Sequence, residues 1–385
     1  MTAPVIFLIA GEPSGDLLGA HLIGALRRLG PPGLRFAGIG GPRMIEAGLE
    51  PFFPMHELAH MGLAELLHHI PHILRRIRQT VVEIQRVRPA ALVTIDAPDF
   101  SFRVAKQLKG KGIPLIHYVA PTVWAWRPKR AQKIAGFLDH LLALLPFEPP
   151  YFTKVGLPCT FVGHPIIESR AGSGDAARFR SQNGLDASTP LLAVLLGSRN
   201  GELRRLAPIF GDTVARLRAR HPELVCVVPT LPALADRVRS LTQDWHGHVI
   251  VVGTDQEKYD AFAAARAALA CSGTIALELA LARLPAVIAY RISAVTAFLY
   301  RRLIKIRFAN LVNIMHDRLV VPELIQENCT AEQLAAACDQ LLADPAARAA
   351  QIAGLTQTAQ WLGEGDTPPS ARAAQTVLKV AGLTS

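Results

Sequence analysis

The feature that most constrains this chain is an alternation, repeated along its length, of short apolar runs with stretches of helical periodicity. A first series of runs lies at 5–9, 35–38, 91–95, 115–119, 140–144 and 160–162. A second lies at 191–195, 224–228, 249–252, 267–271 and 286–290. Strands alternating with helices give parallel sheets with helices on both faces. Between the two series, "ESRAGSGDAARFRSQNGLDASTP" is rich in Gly, Ser and Asp. The expected fold is α/β, with two Rossmann-like domains whose parallel sheets face each other across a cleft. The first domain is expected over 1–168 and the second over 185–345, with C-terminal helices over 346–385 packing back on an N-terminal domain.

Composition agrees with such a chain. At 385 residues there is ample core for two domains, and 50% hydrophobic with 19% charged residues is a globular balance. No apolar run approaches the ~20 residues of a membrane-spanning helix. The N-terminus lacks a basic n-region, and the run 5–9 is too short for a signal-peptide core. These points predict a cytosolic protein, soluble or peripheral. The five cysteines form no C-x-x-C pair, so reduced thiols are expected and a structural zinc is not. The net charge of +10 gathers at Arg75, Arg76 and Arg78, at Arg127, Lys129, Arg130 and Lys133, and at Arg301, Arg302, Lys305 and Arg307. Each cluster alone suits a solvated helix face; together they favour an anionic partner.

Ligands of open α/β sheets bind beyond the carboxyl ends of the strands, so the loops there carry the functional reading. The first, "AGEPSGDLLGAHL", is neither a P-loop nor G-x-G-x-x-G, and its Ser14 is not in a nucleophile elbow. It carries Glu12 and Asp16 and no lysine. Carboxylates accept hydrogen bonds and sugar hydroxyls donate them, so the loop suits a polyol; for Asp16 a helix cap is the alternative. "GIGGPRM" offers Arg43 to a phosphate. In "TIDAPDFS", Asp96 ends a strand and is a candidate general base, whereas Asp99 is expected to cap a helix. "HYVAPTVWAWRPKR" sets Trp124 and Trp126 beside Arg127 and Lys129, to stack on a ring, frame an acidic headgroup or fill core. Between these loops, Met61, Leu66, Leu67, Ile70, Ile73, Leu74 and Ile77 precede or interleave the first arginine cluster. That stretch is either an ordinary core helix or one lying on a membrane. His68 and His72 stand four apart without an H-E-x-x-H acid, which argues against metal.

The second series differs. "LLGSRNGELRRL" places Gly197, Ser198 and Arg199 at a helix start, where amides, a hydroxyl and a guanidinium suit phosphate. "CSGTIALELALARLP" repeats the arrangement with Ser272, Gly273 and Thr274, and Glu278 one turn on can accept from ribose hydroxyls. Asn310 and Asn313 are further donors, or turn residues. A nucleotide-sugar enzyme needs this division, with one domain gripping the nucleotide and the other deprotonating the acceptor.

The motifs "AGEPSGDLLGAHL", "GIGGPRM", "IDAPDF", "HYVAPTVWAWRPKR", "LPFE", "FVGHP", "LLGSRNGE" and "SGTIALE", in this order, resemble those of the lipid-A-disaccharide synthases, inverting glycosyltransferases of GT-B architecture. The resemblance implies condensation of UDP-2,3-diacylglucosamine with 2,3-diacylglucosamine 1-phosphate, giving a β-1,6-linked disaccharide 1-phosphate and UDP. It implies catalytic roles for Asp96 or Glu12 and an acceptor-loop role for Ser14. It implies donor contacts from Arg199, Ser272, Gly273, Thr274, Glu278 and Asn313. It further implies attachment to the cytosolic face of a Gram-negative inner membrane and a homodimer, with C-terminal segments exchanged or not. Here Asn310-Leu311-Val312 stands where the family often has proline before the last asparagine, and "LLGSR" replaces "LPGSR". No cofactor, metal or nucleic acid is expected. The alternative reading is a UDP-N-acetylglucosamine epimerase or another lipid-linked GT-B enzyme.

Overall fold

The computed structural model describes residues 3–59, 66–125, 129–293 and 307–384, without the side chains of 59 and 66–70. Two compact units emerge: Met1–Pro165 together with Gly365–Ser385, and Ile166–Glu364.

In the first unit, β1 (Val5–Ala10), β2 (Arg35–Ile39), β3 (Leu49–Pro51), β4 (Ala91–Ile95), β5 (Leu115–Tyr118), β6 (His140–Ala143) and β7 (Cys159–Phe161) form a parallel sheet in the order β3-β2-β1-β4-β5-β6-β7. The chain builds outward from β1 to β3, then returns to add β4 on the other side of β1. Phe7 lies opposite Ala37 on one flank and Leu92 on the other. The central strands are apolar because both faces are covered. One face packs the helix Pro13–Leu29 through Leu18, Leu22, Ile23 and Leu26, the 3.6-residue spacing of a buried stripe. Beside it lies the helix Pro369–Val380, with Ala373, Ala374, Val377 and Leu378 in the same core. Each fully buried aliphatic side chain of valine or leucine size contributes about 2 kcal/mol, which anchors this late helix to the first sheet. The opposite face is covered by Ile77, Val81 and Ile84 of the helix Leu66–Val87 and by Phe100 and Val104 of Pro98–Leu108.

The second unit repeats the plan. β8 (Leu191–Leu195), β9 (Val225–Pro229), β10 (Val249–Val252), β11 (Ala267–Cys271), β12 (Ala286–Tyr290) and β13 (Glu323–Ile325) lie in the order β10-β9-β8-β11-β12-β13, again parallel. Leu203, Leu206 and Phe210 of the helix Asn200–Arg218, with Leu334 and Leu341 of Ala331–Ala343, fill one face.

The expectation that all of 346–385 returns to an N-terminal domain needs correction. The helix Pro345–Trp361 stays with the second unit, where the buried Gln351 side chain accepts from the Ala286 amide at the start of β12. Only the segment from Gly365 onward belongs to the first unit. No described helix is long and apolar enough to cross a membrane.

Candidate functional site

Each sheet reverses its strand order once, between β1 and β4 and between β8 and β11. Loops at such a reversal diverge and leave a crevice at the carboxyl edge, where ligands of these folds bind. The first, third and two later motif loops fall at these two places.

At the first crevice, a Cβ on Gly11 would stand 2.8 Å from the Ala97 Cβ, so only glycine lets the β1 and β4 loops close on each other. Asp96 and Ala97 both take left-handed backbone (φ 50° and 42°), and so does Val119 after β5 (φ 85°). Such residues cost about 1–3 kcal/mol each and persist where the surroundings enforce them, often at functional sites. Here the Asp96 amide donates to the Tyr118 carbonyl at 3.0 Å, and Ser101 Oγ donates to the Asp96 carbonyl at 3.3 Å. The half-buried Asp96 carboxylate receives a long hydrogen bond, 3.4 Å, from Ser14 Oγ. Glu12 ends up exposed at the helix N-cap without capping it. The crevice therefore brings Glu12, Ser14 and Asp96 together.

Asp16 does not join them. Its carboxylate is buried, 4% exposed, and accepts from the amides of Gly41 (2.8 Å), Arg43 (3.1 Å) and Met44 (3.0 Å). It caps the short helix Pro42–Glu46, a different helix from its own, and turns both oxygens onto backbone amides. The Arg43 side chain is exposed. Asp99 caps nothing: Ala97 is the N-cap residue, and Asp99 sits exposed in the first turn.

Trp124 donates from Nε1 to Glu148 Oε1 at 3.3 Å and lies edge-on to Phe147. Glu148, unremarked within "LPFE", is 3% exposed and accepts from the Leu144 and Leu145 amides at 3.1 and 3.0 Å. Burial pushes its carboxyl up to about 7, against those hydrogen bonds. Trp126 lies outside the described residues, as do Met61, Arg127, Arg301, Arg302 and Lys305, and the side chains of Leu66, Leu67 and Ile70.

The stretch read as either a core helix or a membrane-lying one divides between the two where its side chains are described. Ile77 is core, 1% exposed, and Ile73 packs against the same cluster. Leu74 remains exposed, beside exposed Arg75 and Arg78. Arg76 is occupied by Glu57 in a bidentate pair (2.8 and 2.7 Å) and lies over the Phe53 ring. His72 also meets Glu57, at 3.1 Å.

At the second crevice the phosphate logic needs revision. The amides of Ser198 and Arg199 already donate to Glu202 Oε2, at 3.0 and 3.1 Å. Gly197 (φ 100°) makes room for that carboxylate, since a Cβ there would clash with it. Charge at this loop is thus presented by the Arg199 guanidinium, whose side chain is 81% exposed and 3.5 Å from Glu202 Oε1. The loop after β11 is open instead. Ser272 spends its amide on the Ala289 carbonyl (2.9 Å), while the amides of Gly273 and Thr274 donate to no group among the described residues. A Cβ on Gly273 would meet nothing within 4 Å, so packing does not explain the glycine. Glu278 is ion-paired, Oε2 to Lys258 Nζ at 2.9 Å.

Asn313 is spent. Fully buried, it donates to the Val321 carbonyl (2.7 Å) and Glu323 Oε1 (2.5 Å) and accepts from the Val320 and Val321 amides. It ties the helix Leu311–His316 to β13 and has no donor left for a sugar. Asn310 caps that helix through Oδ1, accepting from the Val312 amide at 2.9 Å. Among the described residues no group of three or more His, Cys, Asp and Glu side chains is arranged to hold a metal ion.

Glu202, Glu148 and Lys258, which lie beside these groups, were not singled out from the sequence. An acid three residues after an N-cap is a capping-box pattern, which would have marked Glu202. For the other two, the nearby partners, Leu144, Leu145 and Asp255, mark no site, and the longer-range ones, Trp124 for Glu148 and Glu278 for Lys258, lie on other elements.

A family model described as "Lipid-A-disaccharide synthetase" matches residues 6–377. The chain belongs to the lipid-A-disaccharide synthetase family. It is a glycosyltransferase of lipid A disaccharide synthesis. Among its relatives, the lipid-A-disaccharide synthases of Rhodospirillum centenum and Paramagnetospirillum magneticum are 58% and 50% identical; they cover 98% and 97% of this chain and 94% and 97% of their own length. The fold is that of GT-B enzymes, as solved structures show. The calicheamicin glycosyltransferase CalG4 superposes with a TM-score of 0.63 at 17% identity, covering 99% of both chains. Acinetobacter baumannii MurG does so at 0.60 and 13%, covering 98% of this chain and 99% of its own. The lipid-A-disaccharide synthetase motifs thus occupy both strand-order reversals of a two-domain glycosyltransferase.

Proposed function

We propose that the chain condenses UDP-2,3-diacylglucosamine with 2,3-diacylglucosamine 1-phosphate by direct inverting displacement. The acceptor 6-hydroxyl attacks the donor's anomeric carbon opposite UDP, forming the β-1,6 bond as the C–O bond to the diphosphate breaks. Asp96 takes the hydroxyl proton, with Glu12 as the rival base. The observation that carries this assignment is the Asp96 carboxylate, held at the β1/β4 crevice by left-handed backbone and by Ser14. A positioned base contributes ~10²–10⁴-fold. Arg199 and the open loop Ser272–Gly273–Thr274 balance the charge that develops on the departing UDP, and Glu278 accepts from the ribose.

Asp96→Asn tests the base. Turnover should fall ~10²–10⁴-fold with donor KM nearly unchanged; full activity transfers the role to Glu12. Products from acylated and unacylated acceptors distinguish this reaction from an epimerase or another lipid-linked transferase, a distinction already favoured by the family match over 6–377.

The same reading places the enzyme peripherally on the cytosolic face of the inner membrane, as a homodimer. Exposed Leu74 and Val82 beside Arg75 and Arg78 give the helix Leu66–Val87 an apolar and basic outer strip suited to anionic lipid. Release from anionic vesicles by salt would support the basic contribution; salt-insensitive binding would leave apolar insertion alone.

A further inference from the structure

Glu278 is the group assigned to the ribose, and it does not stand alone. Its carboxylate meets Lys258 Nζ at 2.9 Å through Oε2. The two side chains are 16% and 19% exposed, whereas Asp255, the ammonium's other partner at 3.0 Å, is 83% exposed. The Lys258 ammonium also lies 4.5 Å from the centre of the Tyr259 ring. Burial opposes the ammonium's charge, but Glu278 and Asp255 outweigh it and hold the group above the usual lysine range.

The fold explains how a lysine twenty residues upstream reaches this place. The helix Asp255–Ala264 is the crossover from β10, at the sheet's edge, to β11, near its middle, and it packs on β9 and β8 as it passes. Its start is fixed by a capping box: Thr254 Oγ1 accepts from the Glu257 amide (3.2 Å), and Glu257 Oε2 accepts from the Thr254 amide (3.0 Å). Lys258 follows directly, in the first turn, at the carboxyl edge of the sheet.

We propose that Lys258 is a positioning residue for donor recognition: it takes one oxygen of Glu278 and so aims the other at the ribose hydroxyls of the nucleotide-sugar. A glutamate has three rotatable side-chain bonds, and a hydrated carboxylate samples many of their rotamers. The ion pair between Oε2 and this largely buried ammonium restricts those rotamers and leaves Oε1 without a hydrogen bond among the described residues, and two vicinal hydroxyls are the donors that match. Removing the lysine strands a largely buried carboxylate, which then turns to water. This proposal rests on the reading that Glu278 faces the ribose.

The test is calorimetric binding of UDP, 2′-deoxy-UDP and 3′-deoxy-UDP to the full-length protein and its variants. The unaltered protein should prefer UDP to at least one deoxy analogue by about 10–100-fold, the worth of one hydrogen bond to a charged group. Lys258→Met should lose most of that preference, and Lys258→Arg should retain it, because the charge and a donor remain. A lysine needed only for folding would weaken all three nucleotides alike and spare the preference. The proposal is overturned if Lys258→Met keeps the full preference while Glu278→Gln loses it. If Glu278→Gln keeps it too, the ribose reading itself fails. Should Lys258→Met not fold, as judged by thermal melting, Lys258→Gln carries the same readout.

Discussion

The two crevices share a topology and differ in how they use their acids. In the first unit, Asp16 leaves its own helix and caps the next, on the amides of Gly41, Arg43 and Met44. In the second, Glu202 folds back onto the amides that open its own helix, those of Ser198 and Arg199. Both acids lie in motif loops, and both are consumed by backbone. The groups that these backbone amides leave unclaimed are Glu12, Ser14 and Asp96 on one side, and Arg199, Gly273 and Thr274 on the other, and these are among the groups proposed for substrate. A motif residue next to a ligand site is thus as often its scaffold as its contact.

The largest effect should come from removing the first scaffold. Asp16→Ala strands three buried or half-buried amides, and about 1–3 kcal/mol for each unsatisfied group predicts a loss large enough to threaten folding. A melting temperature within a few degrees of the unaltered protein would contradict that and return Asp16 to the substrate. The next test bears on the buried acid of the first unit alone. Glu148 titrates at about 7 in the folded chain, above its value of 4.5 when exposed. A raised carboxyl pKa favours the folded state below the unfolded value, and that contribution is lost as pH climbs through the folded value. The Glu148 contribution to stability should therefore decline between pH 4.5 and about 7, by up to about 3 kcal/mol, against the opposite trend of His117 and His164, which burial keeps neutral. Relative to the unaltered protein, Glu148→Gln should make melting temperature rise more, or fall less, with pH over that window; an unchanged slope would locate the titrating group elsewhere.

Two glycines sharpen the contrast within the second unit. Gly197→Ala meets both a positive φ and the Glu202 carboxylate, and should cost about 1–3 kcal/mol of stability. Gly273→Ala meets nothing, so stability should hold within about 0.5 kcal/mol while donor KM rises, because the methyl group enters the space proposed for phosphate. Paired chemical denaturation and donor titration separate them; a destabilised Gly273→Ala with unaltered KM would make that glycine structural. The smallest expected effect is none: with Arg199 as the counter-charge to the leaving diphosphate, EDTA should leave turnover unchanged, and activity lost in EDTA and restored by magnesium would assign that role to a metal.

Much of this architecture was legible beforehand. The central strands announce themselves as apolar runs because both faces are covered, and the loops after them could be found by position alone. The edge strands β3 and β13 could not, since each is three residues long, half-exposed and interrupted by Pro51 or led by Glu323. The division of the last forty residues was hidden too: both C-terminal helices are alanine-rich, and only contacts with Ala286 or with Leu22 and Leu26 show which unit each one serves. At the site, strand ends pointed to Asp96 and Arg199, whose roles stand as proposals. The cap open to Asp16 and the turn role open to Asn313 could not be chosen from sequence, because the amides that claim them lie on segments whose approach no local pattern encodes.

The helix Pro369–Val380 supplies Ala373, Ala374, Val377 and Leu378 to the core of the first sheet, yet it is translated after the whole of the second unit. On the ribosome, the leading half must therefore wait, with an apolar groove beside Leu22 and Leu26 uncovered, until residues nearly two hundred positions later emerge from the exit tunnel. The trailing half has no such debt and can mature first. Chaperone dependence and nascent-chain aggregation should consequently concentrate on the earlier-made half, and a stop codon just before residue 369 would leave that groove permanently open to other molecules.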